Sequence, residues 1–427
     1  RFSSDVPHSF WSPGPAEVIV PLSGAMSETP DGRLPHFGQV VLDLRAIAED
    51  LAIKLVALRA QGLALSWAQV EELRAAIGAM RKAGKHVVFY ADGMGNRTLA
   101  VAAACERIGM PASGAMVARG VGVHFVGLQQ TLDKLGVAFE VVRYGDFKSA
   151  PESLSRKRIS PQLRATMSRL ANARWRGFVE AVALGRGVTT TEVEGAIERG
   201  VAFPADAQKA GLIDFVGEPR QFEKQLAHWR LMETGTKLQR YARKARRRRQ
   251  WGQLPRLAVL AIEGNIVDGK GGDSAIGRSS GGAQVARTVE QLAKRSSVRG
   301  LVARINSGGG AVRGSDLMYA ALKRFGETKP VFTSMGGVAA SGGYWAALGG
   351  QTMYADAGTV TGSIGIFGVK PNMLGLWQRI GLGIDGVGAG PHWDLSSVHR
   401  PWTAAERKLV HGIMGRYYGL FLSRTSL

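Results

Sequence analysis

Cysteine is almost missing: Cys105 is the single thiol in 427 residues, so the chain can form no internal disulfide and no cysteine-built metal site. Acidic residues are scarce too. Against 55 Lys and Arg stand 34 Asp and Glu, a net charge of +21 that favours anionic partners, either a phospholipid surface or nucleic acid. Zinc-finger spacing, RNP-like aromatic patterns and a heptad-bearing basic helix are all lacking, which makes nucleic acid the weaker partner. There is no HExxH or calcium-loop pattern, so neither a metal nor a cofactor is expected. GNIVDGKG (264–271) stops short of a phosphate-binding P-loop, because Gly271 stands where Ser or Thr must hold magnesium. No targeting segment opens the chain. Residues 2–15 are polar and carry Pro7, Pro13 and Pro15, so we expect the natural amino terminus, with any leader or anchor, to lie upstream.

What is present is ordinary globular composition, 45% hydrophobic and 21% charged, in a chain long enough for two or three domains. The excess charge is concentrated. KLQRYARKARRRR (237–249) has eight basic residues and no acidic one, which fits a solvated interdomain linker or a foothold on anionic lipid. On lipid each cation would contribute about 1 kcal/mol. Residues 331–355 carry no formal charge, but six of them are glycine, which predicts a buried small-residue helix rather than a membrane span. Trp345, Trp377 and Trp393 are expected in the core or in oligomer contacts.

The chain repeats itself. AEVIVPLSG (16–24) is answered by RLAVLAIEG (256–264), and LVAL (55–58) by LVAR (301–304). A constant shift of 244 then pairs Lys85 with Lys329, Val87 with Val331, Gly93 with Gly337, Ala102 with Ala346 and Gly114 with Gly358. Each copy alternates strand and helix, which implies an α/β sheet with parallel or mixed strands. In the first copy Ser66 and Gln69 form a capping box ahead of an apolar stripe at Val70, Leu73, Ile77 and Met80, followed by the strand HVVFYA (86–91). In the second, Ser315 and Asp316 precede Leu317, Ala320, Ala321 and Phe325, followed by VFTSM (331–335). The expected domains are residues 1–236, a basic linker at 237–255, and 256–427.

Two glycine-rich turns in the second copy follow strands: INSGGGAV (305–312) and MGGVAASGGYW (335–345). Glycines there let backbone amides approach a developing oxyanion, and Ser341 stands at a helix start among neighbours too small to shield its hydroxyl. A nucleophilic serine needs a base. His392, Asp394 and His399 are the tight candidates for a triad, but nothing in their setting resembles one. A lysine desolvated enough to be neutral can also serve, and Lys148, in VVRYGDFKSAPES (141–153), lies between a strand and the small residues Ser149 and Ala150.

INSGGGAV, PVFTSMGGVAASGGYWAA, GTVTGSIGIFGV (358–369) and YGDFKSAPES together resemble signal peptide peptidases of the long bacterial SppA type. The resemblance runs from about residue 16 to 427. It implies an α/β fold of tandem duplicated ClpP/crotonase-like domains, the first supplying a lysine base and the second a serine nucleophile. By matching positions it implies Ser341 as nucleophile, Lys148 as general base and Ser363 as the residue orienting the lysine. The backbone amides of Gly309, Gly310 and Gly342 would form the oxyanion hole. Position 308, usually proline in the family, is glycine here, which loosens that loop.

The resemblance further implies hydrolysis of signal peptide remnants or other apolar peptides, homo-oligomers (tetramers for the tandem type), and a place on the extracytoplasmic face of the bacterial inner membrane. A final helix-and-strand element of the family does not follow residue 422, so we expect a chain clipped at both ends. Under the 244 shift Ser341 corresponds to Arg97 and Lys148 to His392, so each copy keeps one catalytic member and one site is expected across the two halves. Two alternatives stay open: a catalytically weak scaffold of the same fold, and a crotonase-like acyl-CoA enzyme, which would need no Ser341.

Overall fold

The computed structural model describes residues 17–30, 34–225, 255–274 and 277–426. The basic run at 237–249 and all of the expected linker except Pro255 lie outside the described residues. The chain is mixed α/β and forms two compact units that do not follow chain order. The first comprises Arg1–Gly120, Arg174–Pro255 and Asp356–Gly358; the second comprises Val121–Ala173, Arg256–Ala355 and Thr359–Leu427. The boundary expected at residue 236 is thus crossed by an exchange of segments. Residues 121–173, which chain order assigns to the first repeat, pack with the second.

The first unit is built round a five-stranded parallel sheet, ordered Glu17–Ala25, Leu55–Ala64, His86–Ala91, Arg107–Met110, Phe215–Val216. Val18, Val20 and Leu22 alternate into its core with no exposure, the period-two pattern of a strand with one face covered. The helix Trp67–Lys82 begins at the expected capping box: Gln69 N donates to Ser66 Oγ and Ser66 N to Gln69 Oε1. It ends in a Schellman turn, in which Gly84 (φ +75°) and Lys85 donate to the carbonyls of Arg81 and Met80. Its stripe of Val70, Leu73, Ile77 and Met80 is buried as the spacing predicts.

The second unit repeats that frame. Arg256–Val267, Val298–Gly310, Val331–Ala340 and Thr352–Tyr354 run parallel in a seven-stranded sheet. Leu301 pairs with Val331 as Leu55 pairs with His86. The lysines related by the 244 shift also do the same work. Lys85 donates to the carbonyl of Asp50, just past the helix Phe37–Glu49, and Lys329 to those of Ala293 (2.6 Å) and Arg295 (2.8 Å), at the end of Gly282–Lys294. A cation at a helix carboxyl end satisfies orphan carbonyls and complements the dipole, so each copy conserves one solution to one local problem.

Two local expectations differ from the fold. The helix expected to open at Ser315 begins three residues earlier, at Val312, and Ser315 is fully buried with its hydroxyl donating to the Ala311 carbonyl at 2.9 Å. The uncharged stretch 331–355 is not one buried helix but the strand Val331–Ala340 and the six-residue helix Gly342–Ala347, with Ser341 at the break between them. Strand pairing on both sides of Val331–Ala340 is what overrides the helical reading of its small residues.

Candidate functional site

Ser341 has φ +53° and ψ −119°, a left-handed backbone that a residue with a side chain adopts at a cost of about 1–3 kcal/mol. The neighbouring backbone holds it there. Its N–H donates to Gly362 O at 2.8 Å, its carbonyl accepts from Trp345 N at 2.9 Å, and Val360–Gly362 pairs with the end of Val331–Ala340. A sharp strand-to-helix turn of this kind lifts the serine hydroxyl out of the sheet.

Lys148 reaches that hydroxyl from the exchanged segment. Ala138–Tyr144 pairs antiparallel with Ile366–Asn372, from Tyr144 opposite Ile366 to Ala138 opposite Asn372. This ribbon brings the loop after Tyr144 alongside Ser363–Gly365. Gly365 matters for the fit: a Cβ there would lie 2.5 Å from the Tyr144 carbonyl and 3.1 Å from Lys148 Cβ. Lys148 is 2% exposed, with Nζ 2.6 Å from Ser341 Oγ and 3.2 Å from both the carbonyl and the hydroxyl of Ser363. Burial pushes its amine down from 10.5 to about 8. The expected trio of Ser341, Lys148 and Ser363 is therefore together, and all three belong to the second compact unit rather than bridging two.

The glycines divide. A Cβ on Gly342 would run into Ser315 Oγ and lie 3.1 Å from the amide nitrogen of Gly310, so these two backbones converge beside Ser341. Gly309, expected to share the oxyanion role, donates its N–H instead to the buried Ser307 hydroxyl at 3.1 Å, and Ser307 in turn donates to Gly264 O at 2.6 Å. Its contribution is conformational: at φ +98°, with Gly310 at +153°, it lets the loop turn where a side chain would be strained. His392, Asp394 and His399 take no part in the trio. Asp394 and Glu406 both pair with Arg400, and His392 Nδ1 lies 3.9 Å from Glu406.

Three supports escaped the sequence reading. Glu152, 2% exposed, accepts from Arg143 at 3.2 Å and from the Ser160 hydroxyl at 2.9 Å, clamping the chain just after Lys148. Phe147 and Phe367 remain 66% and 41% exposed beside the lysine, whose Nζ lies 5.8 Å from the centre of the Phe367 ring. From the terminal helix Ala404–Thr425, Phe421 stacks on Trp345 at 4.5 Å behind the helix that follows Ser341. Glu152 stands inside the YGDFKSAPES string, but no local spacing marks it as buried.

The site's residues fall in stretches shared with known proteins. Peptidase family S49 matches residues 79–231, which carry Lys148, and 323–426, which carry Ser341 and Ser363. The chain is 29% identical over 387 residues to "Serine protease SPPA, chloroplastic" of Arabidopsis thaliana, covering 89% of this chain and 57% of that protein. It is also 29% identical over 331 residues to "Protease 4" of Haemophilus influenzae, covering 73% and 52%. The chain spans about half the length of the curated relatives it matches. With the two matched stretches making up more than half of its residues, the chain belongs to peptidase family S49.

Proposed function

We propose that the chain is a serine peptidase that cleaves apolar peptides through an acyl-enzyme, with Ser341 as nucleophile and Lys148 as general base. The observation that carries this is the 2.6 Å approach of a buried lysine amine to a serine hydroxyl held in a left-handed turn. Hydrogen-bond reach is the first requirement of a base, and a pKa near the working pH is the second.

Neutral Lys148 accepts the Ser341 proton as Oγ attacks the scissile carbonyl carbon. Ser363, touching the amine through two oxygens, keeps its lone pair aimed at Oγ. The tetrahedral oxyanion is held by the amides of Gly310 and Gly342, at the start of the helix Gly342–Ala347. The lysine ammonium then protonates the leaving amine, and the amine it becomes activates water to release the acyl group. A crotonase-like acyl-CoA enzyme would have no use for the Lys148–Ser341 contact.

Exposed Phe147 and Phe367 next to the dyad favour apolar side chains beside the cut, which is the chemistry of signal peptide remnants. Assembly into homo-oligomers and residence at the extracytoplasmic face of a membrane belong to the same proposal. Among the described residues no helix is long and apolar enough to cross a membrane.

A fluorophosphonate probe is expected to label Ser341 alone, and Ser341→Ala or Lys148→Ala to remove hydrolysis of an apolar peptide ester by a factor of about 10³ or more. Turnover retained in either variant, with the fold intact by circular dichroism, would overturn the assignment. Absence of labelling would favour the scaffold reading.

A further inference from the structure

The second unit contains a cavity of about 780 Å³ whose charged lining residues are all cations: Arg143, Arg156, Lys157 and Arg158. No acidic residue lines it. Glu152 compensates Arg143 from below, at 3.2 Å. Arg156, Lys157 and Arg158 are exposed on the lining and make no ion pair among the described residues.

These charges sit on a loop that is held rather than trailing. Arg156 N donates to Glu152 O at 2.9 Å, and at the other end Ser160 donates to the Glu152 carboxylate through both its hydroxyl (2.9 Å) and its N–H (3.3 Å). Gly127 packs so close to the loop backbone that a Cβ would lie 2.5 Å from Arg156 O and 2.6 Å from Lys157 O. The cavity also opens at the start of the helix Pro161–Arg186, where Leu163 N donates to Ser160 Oγ at 3.1 Å, so the helix dipole adds its positive end. An anion bound among the three cations would take the place of water and salt as their counter-charge, and a loop already held in place lowers the entropic cost of binding.

We propose that this cavity binds a phosphate group, carried either on a lipid headgroup or on a free phosphorylated small molecule. Two guanidinium groups and an ammonium match a phosphate, which arginine engages through paired N–H donors, better than they match a single carboxylate. The volume lies in the range of small-molecule sites and exceeds what one inorganic ion fills, so the phosphate belongs to a larger body. The site is independent of the dyad, and its failure would leave the peptidase reading untouched.

The test uses the full chain at physiological ionic strength. Binding of inorganic pyrophosphate is measured by calorimetry, and binding to phosphatidylglycerol against phosphatidylcholine vesicles by co-sedimentation. The Arg156→Gln/Lys157→Gln/Arg158→Gln variant is expected to weaken pyrophosphate binding about tenfold or more, whereas neutralising Arg246, Arg247, Arg248 and Arg249 to Gln leaves it unchanged. A parallel loss of phosphatidylglycerol binding in the loop variant identifies a lipid headgroup; loss of pyrophosphate binding alone identifies a free phosphate. Unchanged melting temperature shows that the loop variant is folded, and the single variant Arg158→Gln, expected to weaken binding in the same direction, replaces it otherwise. Pyrophosphate binding equal in the loop variant and the parent, or lost only with the 246–249 arginines, would overturn the proposal.

Discussion

At the turn that follows the third long strand of each repeat, the two units do opposite things with the same frame. In the first, the chain enters the helix Asn96–Ala102 through Gly95 in a relaxed extended conformation, φ −96° and ψ −178°. Two polar side chains there are used for structure: Arg97 donates to the Leu65 carbonyl, and Asn96 exchanges hydrogen bonds with the backbone of Arg119 at 2.6 and 3.0 Å. In the second, the chain enters Gly342–Ala347 through a serine forced to φ +53°, whose hydroxyl meets a buried amine. The duplicated sheet and helices supply the frame in both. The left-handed serine and its buried amine partner belong to the turn of the second unit, which carries a backbone cost that the turn at Gly95 does not.

That contrast can be broken most forcefully at the pair Gly342 and Thr98, which the 244 shift superposes. A methyl group on Gly342 collides with Ser315 Oγ, so Gly342→Ala is expected to lower ester hydrolysis by about a hundredfold and stability by about 1–3 kcal/mol. Thr98→Ala, on a helix with no part in the site, should leave turnover unchanged. Equal losses from both would erase the distinction between the units.

The lysine gives a second test. Its folded pKa, about 8, lies below its ordinary 10.5, so the charged form penalises the fold. The penalty is complete below pH 8 and disappears as the pH climbs toward 10.5. Lys148→Met should therefore abolish turnover yet raise stability near neutral pH by up to about 3 kcal/mol, read by denaturant melts. For the parent chain, kcat/KM should rise with a midpoint near pH 8 as the base loses its proton. A flat profile from pH 6 to 9 would be incompatible with a lysine base.

A smaller effect separates Ser341 from Arg97. Ser341→Gly relieves the left-handed strain and should gain about 1 kcal/mol, whereas Arg97→Gly, inside a helix, should lose about 1 kcal/mol. Opposite signs sharpen the comparison and like signs remove it. Smallest is Gly308→Ala. Open space surrounds that position, so the substitution should add about 0.4–1 kcal/mol by restricting the unfolded chain, with turnover unchanged.

Much of this was legible in the residues. The capping box at Ser66–Gln69, the stripe from Val70 to Met80 and the strand from His86 are written in short spacings, and short spacings govern local hydrogen bonds and faces. Ser341, Lys148 and Ser363 were identifiable as residue types in shared strings. Glu152, Ser307 and Ser315 were not, because what makes them matter is burial and a partner, and neither has a periodic signature. The partner of Gly309 was hidden for the same reason: a glycine's positive φ can be expected from its company, but the acceptor of its N–H is set by whatever packs opposite.

The amino-acid sequence by itself determined the alternation of helix and strand, the duplication, the scarcity of thiol and acid, and the chemical groups available for catalysis, since all of these rest on residue identity and neighbours within a few positions. Tertiary structure alone decided that residues 121–173 join the second unit, that an amine 193 positions before a serine comes within 2.6 Å of it, and that Ser341 is strained. Those outcomes depend on which distant surfaces exclude water together, and burial is also what lowers the amine's basicity, so proximity and reactivity arise in the same packing event.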